Sequence, residues 1–303
     1  MSHVVFTADD NLDGTEVHLL TPTNDLRSRV REIVVASDLY DHVVETVADL
    51  PAPAAGFHSL TSGSWAFTSP LALGGNRLNV PAGVTVYLQG FGWGNTISGT
   101  AGPLLAVSGV ALVENMHFSI PTANAVGVNC FGAYTDLTGC LIESGGDSVQ
   151  ASGASAIDVL VNRCRLQPAT GYASFGCRSA AGVGRVRINQ STFESGTDGI
   201  AVVANLSYLN VYGVRCVGGR TNFIQRSAGL VTSVSVVGCI IQATNGINWA
   251  AANMPAYGLL VMGNSFNCTN DWVAHTPASA LVNYKCNNSS GGPGLLTETV
   301  IVP

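Results

Sequence analysis

The chain has 303 residues, 47% of them apolar and only 11% charged, with a net charge of −6 at neutral pH. Soluble chains ordinarily carry about 25% charged residues, so this composition excludes disorder, a coiled coil and a charged helical bundle. Lysine occurs once, at Lys285, and an acidic chain so poor in cations is not a basic nucleic-acid binder. The length suits about two ordinary domains or one long all-β domain, with room for a large core in either case.

Residues 1–50 differ from the rest. They hold ten of the nineteen acids against three arginines, whereas residues 51–303 hold nine acids and ten bases. That imbalance predicts a separate N-terminal anchoring or capping segment over 1–50. The start, MSHVVFTADDNLDG, has no basic region followed by an apolar run, so no secretion signal is expected. Asp9, Asn11, Asp13 and Gly14 match the first half of an EF-hand loop, but Leu20 stands where the bidentate glutamate belongs, which leaves a surface turn. Over residues 24–50 the pattern is mixed: Ser37 could cap a helix carrying Leu39, Val43 and Val47, or Val43–Val47 could be a strand. Pro51 and Pro53 mark a boundary.

From there the chain repeats itself. The motif is two apolar residues two apart, a two-residue break, a small or thiol residue, then another apolar residue. Its clearest copies are Ala111-Val113-Met116-Phe118, Thr135-Leu137-Cys140-Ile142, Val159-Val161-Cys164-Leu166 and Val186-Ile188-Ser191-Phe193. It continues as Leu209-Val211-Val214-Cys216, Val234-Val236-Cys239-Ile241 and Leu259-Val261-Asn264-Phe266, with weaker copies at Val84-Val86-Gln89-Phe91 and Leu281-Asn283-Cys286. The third position falls at 89, 116, 140, 164, 191, 214, 239, 264 and 286.

A period of two within each copy predicts strands with alternate residues inward. The breaks carry Asn115, Gly139, Asn162, Asn189, Gly213, Gly238 and Gly263, residue types that accept left-handed backbone angles. A second strand follows, centred on Val149, Phe175, Ile200, Ile224, Ile247 and Val273, mostly with a polar residue two places earlier: Asp147, Asp198, Asn222, Asn245, Asp271. Short strands at a step of about 25 residues with no helix between them predict a parallel β-solenoid over 51–290, with about nine coils.

These repeats resemble the right-handed parallel β-helix of the pectin-lyase-like superfamily, and Leu78–Gly92 resembles the opening coil of phage tailspike-type members. The resemblance implies an all-β, right-handed parallel β-helix and a homotrimer. It leaves function open, since this fold hosts lyases, hydrolases, adhesins and viral structural proteins.

Four carboxylates are the catalytic candidates. Asp147 and Asp198 precede equivalent strands two coils apart, which is about 9–10 Å at standard strand spacing. Glu143 and Glu194 form a similar pair. An inverting glycosidase holds its acid and base about 6.5–9.5 Å apart. Against this, Asn222, Asn245 and Asp271 occupy related positions, as Ser119, Gln167, Gln242 and Asn267 do in the glutamate row, so turn capping already explains these acids. Lyases of the superfamily also use a calcium-binding aspartate cluster, and none is visible beside Arg163, Arg165, Arg178, Arg185, Arg187, Arg215, Arg220 and Arg226.

The other residues argue for little chemistry. Cys140 and Cys164 stack on successive coils, with Cys239 further along, as small buried thiols; no CxxC pair suggests zinc. Arg163, Arg165, Arg185 and Arg187 flank inward residues and so face outward. Trp65, Trp93, Trp249 and Trp272 could stack on sugars, although core or edge packing is the default. No cofactor motif or histidine cluster is present. The longest uncharged stretch, Ser227 to Asn270, is broken by glycines and Pro255, so no membrane-spanning helix is expected. Residues 291–303 form a short apolar tail.

The expectation is a viral structural protein: a trimeric phage spike, fibre or head-decoration subunit, assembled in a host cytoplasm and joined to capsid or tail proteins through residues 1–50. A host-polysaccharide hydrolase or lyase, or a non-catalytic adhesin for surface glycans, is the alternative.

Overall fold

The computed structural model describes residues 40–132, 134–153, 157–178, 183–227, 231–249, 258–273, 283–286 and 289–290. All its strand ladders are parallel, and they stack as a β-solenoid. No α-helix occurs among the described residues; Val47–Asp49 is a single 3₁₀ turn.

The first sheet has eleven strands: His42–Val44, Gly63–Phe67, Thr85–Gly90, Val110–Glu114, Tyr134–Thr138, Asp158–Asn162, Val183–Asn189, Leu206–Tyr212, Val231–Val237, Gly258–Met262 and Asn283–Cys286. Seven of the nine repeat copies are in true register, since Ala111, Thr135, Val159, Val186, Leu209, Val234 and Leu259 pair in turn. The two end copies are two residues out. Val86, not Val84, pairs with Ala111, and Asn283, not Leu281, pairs with Leu259. Alternation alone cannot see a two-residue slip, because it keeps the same face inward.

Trp65, Leu88, Val113, Leu137, Val161, Ile188, Val211, Val236 and Val261 form one continuous inward column, each buried. Burying a side chain of this size stabilises by about 1.5–3 kcal/mol, which is the main force holding each coil on the next. The first strand lies within residues 1–50: His42 pairs with Trp65 and stacks on its ring at 3.9 Å. The Asp41 carboxylate accepts from the Ser64 amide at 2.7 Å and the Ser64 hydroxyl at 2.8 Å. Ser37 and Leu39, proposed for a helix, and the calcium-like Asp9–Gly14 turn lie outside the described residues, as does the tail.

A left-handed residue follows each of the seven strands from Val110–Glu114 to Gly258–Met262. It is Asn115, Gly139, Arg163, Gln190, Gly213, Gly238 and Gly263, with φ between +47° and +66°. Residue preference picks Asn162 and Asn189 in two coils, but the register puts those two opposite Thr138 and Tyr212 at the strand ends. The bend therefore falls on Arg163 and Gln190, where a non-glycine residue is held in a costly conformation by its neighbours. The bend amides form their own ladder, with Gly139 N donating to Asn162 O and Arg163 N to Asn189 O.

The thiol position comes next. Here an amide of one coil is capped by a side chain of the following coil. Cys140 N donates to Cys164 Sγ at 3.4 Å, Cys164 N to Ser191 Oγ at 3.1 Å, and Cys239 N to Asn264 Oδ1 at 2.8 Å. The column is small because the interior is narrow, and polar because buried amides need acceptors. Cys130, Cys140, Cys164, Cys177, Cys216, Cys239 and Cys268 are all buried. Burial pushes the thiols of Cys130, Cys177 and Cys216 up to about 12.

The remaining strands make two further columns. The middle column includes His117–Ile120, Leu141–Ser144, Arg165–Pro168 and Thr192–Glu194; the last includes Val128–Cys130, Val149–Ala151, Ala173–Cys177 and Asp198–Val202. From residue 215 the two fuse into single long strands, Arg215–Arg226, Ile240–Trp249 and Ser265–Val273. In the last of these, Trp272 rather than Val273 pairs with Ile247, and Asn270 rather than Asp271 pairs with Asn245.

Candidate functional site

Asp147 and Asp198 do lie on one edge. Ala173 pairs with Asp198, then Asn222, Asn245 and Asn270 follow in register. Asp147 stands one coil before Ala173 and accepts from its amide at 2.9 Å. The two carboxylates are thus two strand spacings apart, about 9–10 Å.

Their surroundings differ. Asp147 is only 4% exposed. Arg178 donates Nε to its Oδ2 at 2.9 Å and Nη2 to its Oδ1 at 3.2 Å. With Ala173 N this makes three bonds to one carboxylate. Burial lowers the Arg178 pKa, but the Asp147 bond and the charges of Asp147 and Asp198 together outweigh it and the net shift is upward. Asp198 is half-buried, and burial raises its pKa against the opposing pull of the Asn222 bond, Arg178 and Arg220. Asn222 Nδ2 donates to Asp198 Oδ1 at 2.7 Å, and Gln225, with its amide nitrogen turned inward, reaches Oδ2 at 3.0 Å. Asn245 and Asn248 donate in turn to Asn222 Oδ1 at 2.9 and 3.1 Å. The edge is an acid-and-amide ladder, and Arg178 grips its first member.

The glutamates lie on the outside of the middle column. Ser119, Glu143 and Gln167 are in register, and Gln167 Nε2 donates to Glu194 Oε2 at 2.5 Å. Arg165 pairs with the same Oε2 at 2.5 Å. Burial alone would raise the Glu194 pKa; the Arg165 and Gln167 bonds overcome it and hold the group below the usual range. Glu143 faces His117 Nε2 at 3.0 Å, while His117 Nδ1 lies 2.8 Å from Trp93 O and 2.7 Å from Thr96 Oγ1.

Trp93 completes this cluster. Its indole Nε1 donates to Gly139 O at 3.0 Å, two coils on, and its ring is 44% exposed. The Arg165 guanidinium sits 6.0 Å from the ring centre. The half-exposed indole thus lies beside Arg165, which is paired with Glu194, while the Trp93 carbonyl meets His117, which faces Glu143. The sequence names both glutamates and Trp93 separately. Their meeting with His117 depends on where the loop after Thr85–Gly90 crosses the outside of later coils, and no local pattern encodes that.

The arginines divide. Arg163 and Arg185 are exposed, and Arg165 and Arg187 lie on the outer face with them, as their flanking positions require. Arg187 pairs with Asp158 at 3.2 Å. Arg220 and Arg226, by contrast, are buried. Arg220 donates to Asp198 O at 2.7 Å and to Ser174 Oγ at 3.0 Å. Arg226 takes the strand position opposite Val202, and burial lowers its pKa to about 10. Trp65 is core.

Among the described residues, no His, Cys, Asp and Glu side chains converge in threes to hold a metal ion, and no helix is long and apolar enough to cross a membrane. Comparisons with protein families, with curated proteins and with solved structures find no match.

Proposed function

We propose that this chain is a structural subunit of a virus particle, a stiff β-solenoid of the tailspike, fibre or head-decoration kind, joined to the particle by its N-terminal part. The observation that carries the reading is the unbroken eleven-strand parallel ladder. Each coil is bonded to the next through backbone, bend and corner, which suits a bar that bears load. The bonding of the acids supports the same reading, since Asp147, Glu194 and Asp158 are each engaged by an arginine. An antibody to the chain, imaged on purified particles by negative-stain electron microscopy, tests it. Labelling at a fixed position on the particle is expected; particles that carry none of the chain overturn the proposal.

A second reading, a glycan-binding or glycan-cleaving surface, is favoured by the Trp93 cluster alone. Aromatic faces bind the apolar faces of sugar rings while flanking polar groups fix the hydroxyls. Reducing-sugar release from host capsule or lipopolysaccharide that disappears in Glu143→Gln or Asp198→Asn would establish cleavage. Binding without release, lost in Trp93→Ala, would establish adhesion.

A further inference from the structure

The outer face of the first sheet carries side chains in columns, one residue per strand. One column runs Tyr134, Asp158, Arg185, Tyr208 on four successive strands. Reversed, it is the same column with acid and base exchanged. Beside it run Asp136, Leu160, Arg187 and Asn210, and the same reversal sets Asp136 over Asn210 and Leu160 over Arg187, with no like charges opposed.

We propose that this face binds the same face of a second copy, the two solenoids antiparallel about a two-fold axis that lies along the strand direction between Asp158 and Arg185. Such an axis reverses the order of the strands and leaves each column over itself. Asp158 of each copy then meets Arg185 of the other, and Tyr134 meets Tyr208. This is the self-complementary contact that a two-fold dimer requires. A parallel face-to-face pair centred on the same column would instead set Asp158 against Asp158 and Arg185 against Arg185, which like-charge repulsion disfavours.

The groups are accessible. Tyr208 is 46% exposed, and the Arg185 and Asp158 side chains are 50% and 32% exposed. Within one copy Arg185 already lies 3.9 Å from Asp158 and 5.7 Å from the Tyr208 ring centre, so the dimer extends an existing charge pair into a four-charge cluster. Toward the N-terminal end the face is closed, because Tyr40 stacks on Tyr87 with ring centres 6.1 Å apart. From Val110–Glu114 to Val231–Val237 six strands remain open. Six strands, each five residues wide, span about 29 by 17 Å, or about 500 Å² per copy. The total of about 1,000 Å² sits at the lower bound for a specific interface, the range of weak, reversible contacts. If the virion reading holds, on which this last step rests, an antiparallel pair places one N-terminal part at each end. That suits a subunit lying along a particle surface better than one standing on it.

Sedimentation equilibrium of the full chain from about 1 to about 300 µM tests the pairing. A monomer–dimer equilibrium is expected. Arg185→Glu should weaken it at least about tenfold, and Asp158→Arg with Arg185→Glu should restore it to within about threefold. As a second measurement, the Tyr134→Cys chain mixed with the Tyr208→Cys chain should form mixed disulfide dimers. A monomer at every concentration, a trimer, or crosslinks only between identical variants overturns the proposal. None of these outcomes bears on whether the chain is found on particles.

Discussion

The early and late coils solve the same corner in different ways. In the coil holding Leu141–Ser144 and Val149–Ala151 the strands stop, and the turn between them consumes its own polar groups. Ser144 Oγ donates to Gly146 O at 2.9 Å and Ser148 Oγ to Ile142 O at 3.3 Å, while Asp147 takes Arg178 and the Ala173 amide. A side chain on Gly145 would collide with the Thr122 carbonyl of the coil before. In the coil holding Arg215–Arg226 there is no stop. The strand runs through the corner, its register with the next strand shifts between Cys216 and Arg220, and the buried Arg220 guanidinium reaches back to Asp198 O and Ser174 Oγ. A corner that buries backbone must supply partners for it, and either a serine-rich turn or one long cation will serve.

That contrast can be broken at its strongest point first. Arg220→Ala removes both donors and leaves a cavity beside Phe193, so it should cost about 2–4 kcal/mol in denaturant unfolding. Hydrogen exchange should rise mainly in coils from Asp198 onward; an even rise along the chain would show that the corner is not held locally. Asp147→Asn tests the early corner. It keeps an acceptor for the Ala173 amide but loses the ion pair, at a cost of about 1–2 kcal/mol by the same measurement. Both regions share the capped amides next to the bend. Cys164→Val deprives the Cys140 amide of its acceptor and should lower stability by about 1 kcal/mol, with Cys164→Ser the milder change.

The smallest effect concerns pH at the junction of the two regions. The folded pKa of Asp198 is raised, so the folded protein holds that proton more tightly than the unfolded chain does. Ionised Asp198 therefore costs stability above its folded pKa, and the cost fades as pH falls through that value toward 3.8. Asp198→Asn should raise the melting temperature at neutral pH, with the gain shrinking at acid pH. A gain that grows on acidification would contradict the assignment.

Much of this architecture is legible in the sequence, for a physical reason. Coils that stack directly repeat their inward residues at nearly fixed intervals, so Val113, Leu137, Val161 and Ile188 announce themselves. Residue preference failed where the surrounding stack overrides it. Asn162 and Asn189 are better suited to the left-handed turn than Arg163 and Gln190, yet the ladder on either side fixes where the turn falls. It failed again at Arg220 and Arg226, because arginine is rarely found inside. Their burial follows from a partner on an earlier coil in one case and a strand register in the other. The site was half readable: the carboxylate rows are periodic, whereas Arg178 on Asp147 and His117 on Glu143 come from loops or from the outer face and follow no period.

The capped amides near the bends also give the stack a direction. Cys140, Cys164 and Cys239 each have their amide satisfied by a side chain from the coil that follows. A coil is thus unfinished until its successor is laid down, so deletions that trim the C-terminal side strand a donor at the fresh end. Trimming from the other side leaves these particular amides capped and strands instead the amides that donate backwards, such as Leu141 N to Met116 O and Arg165 N to Cys140 O.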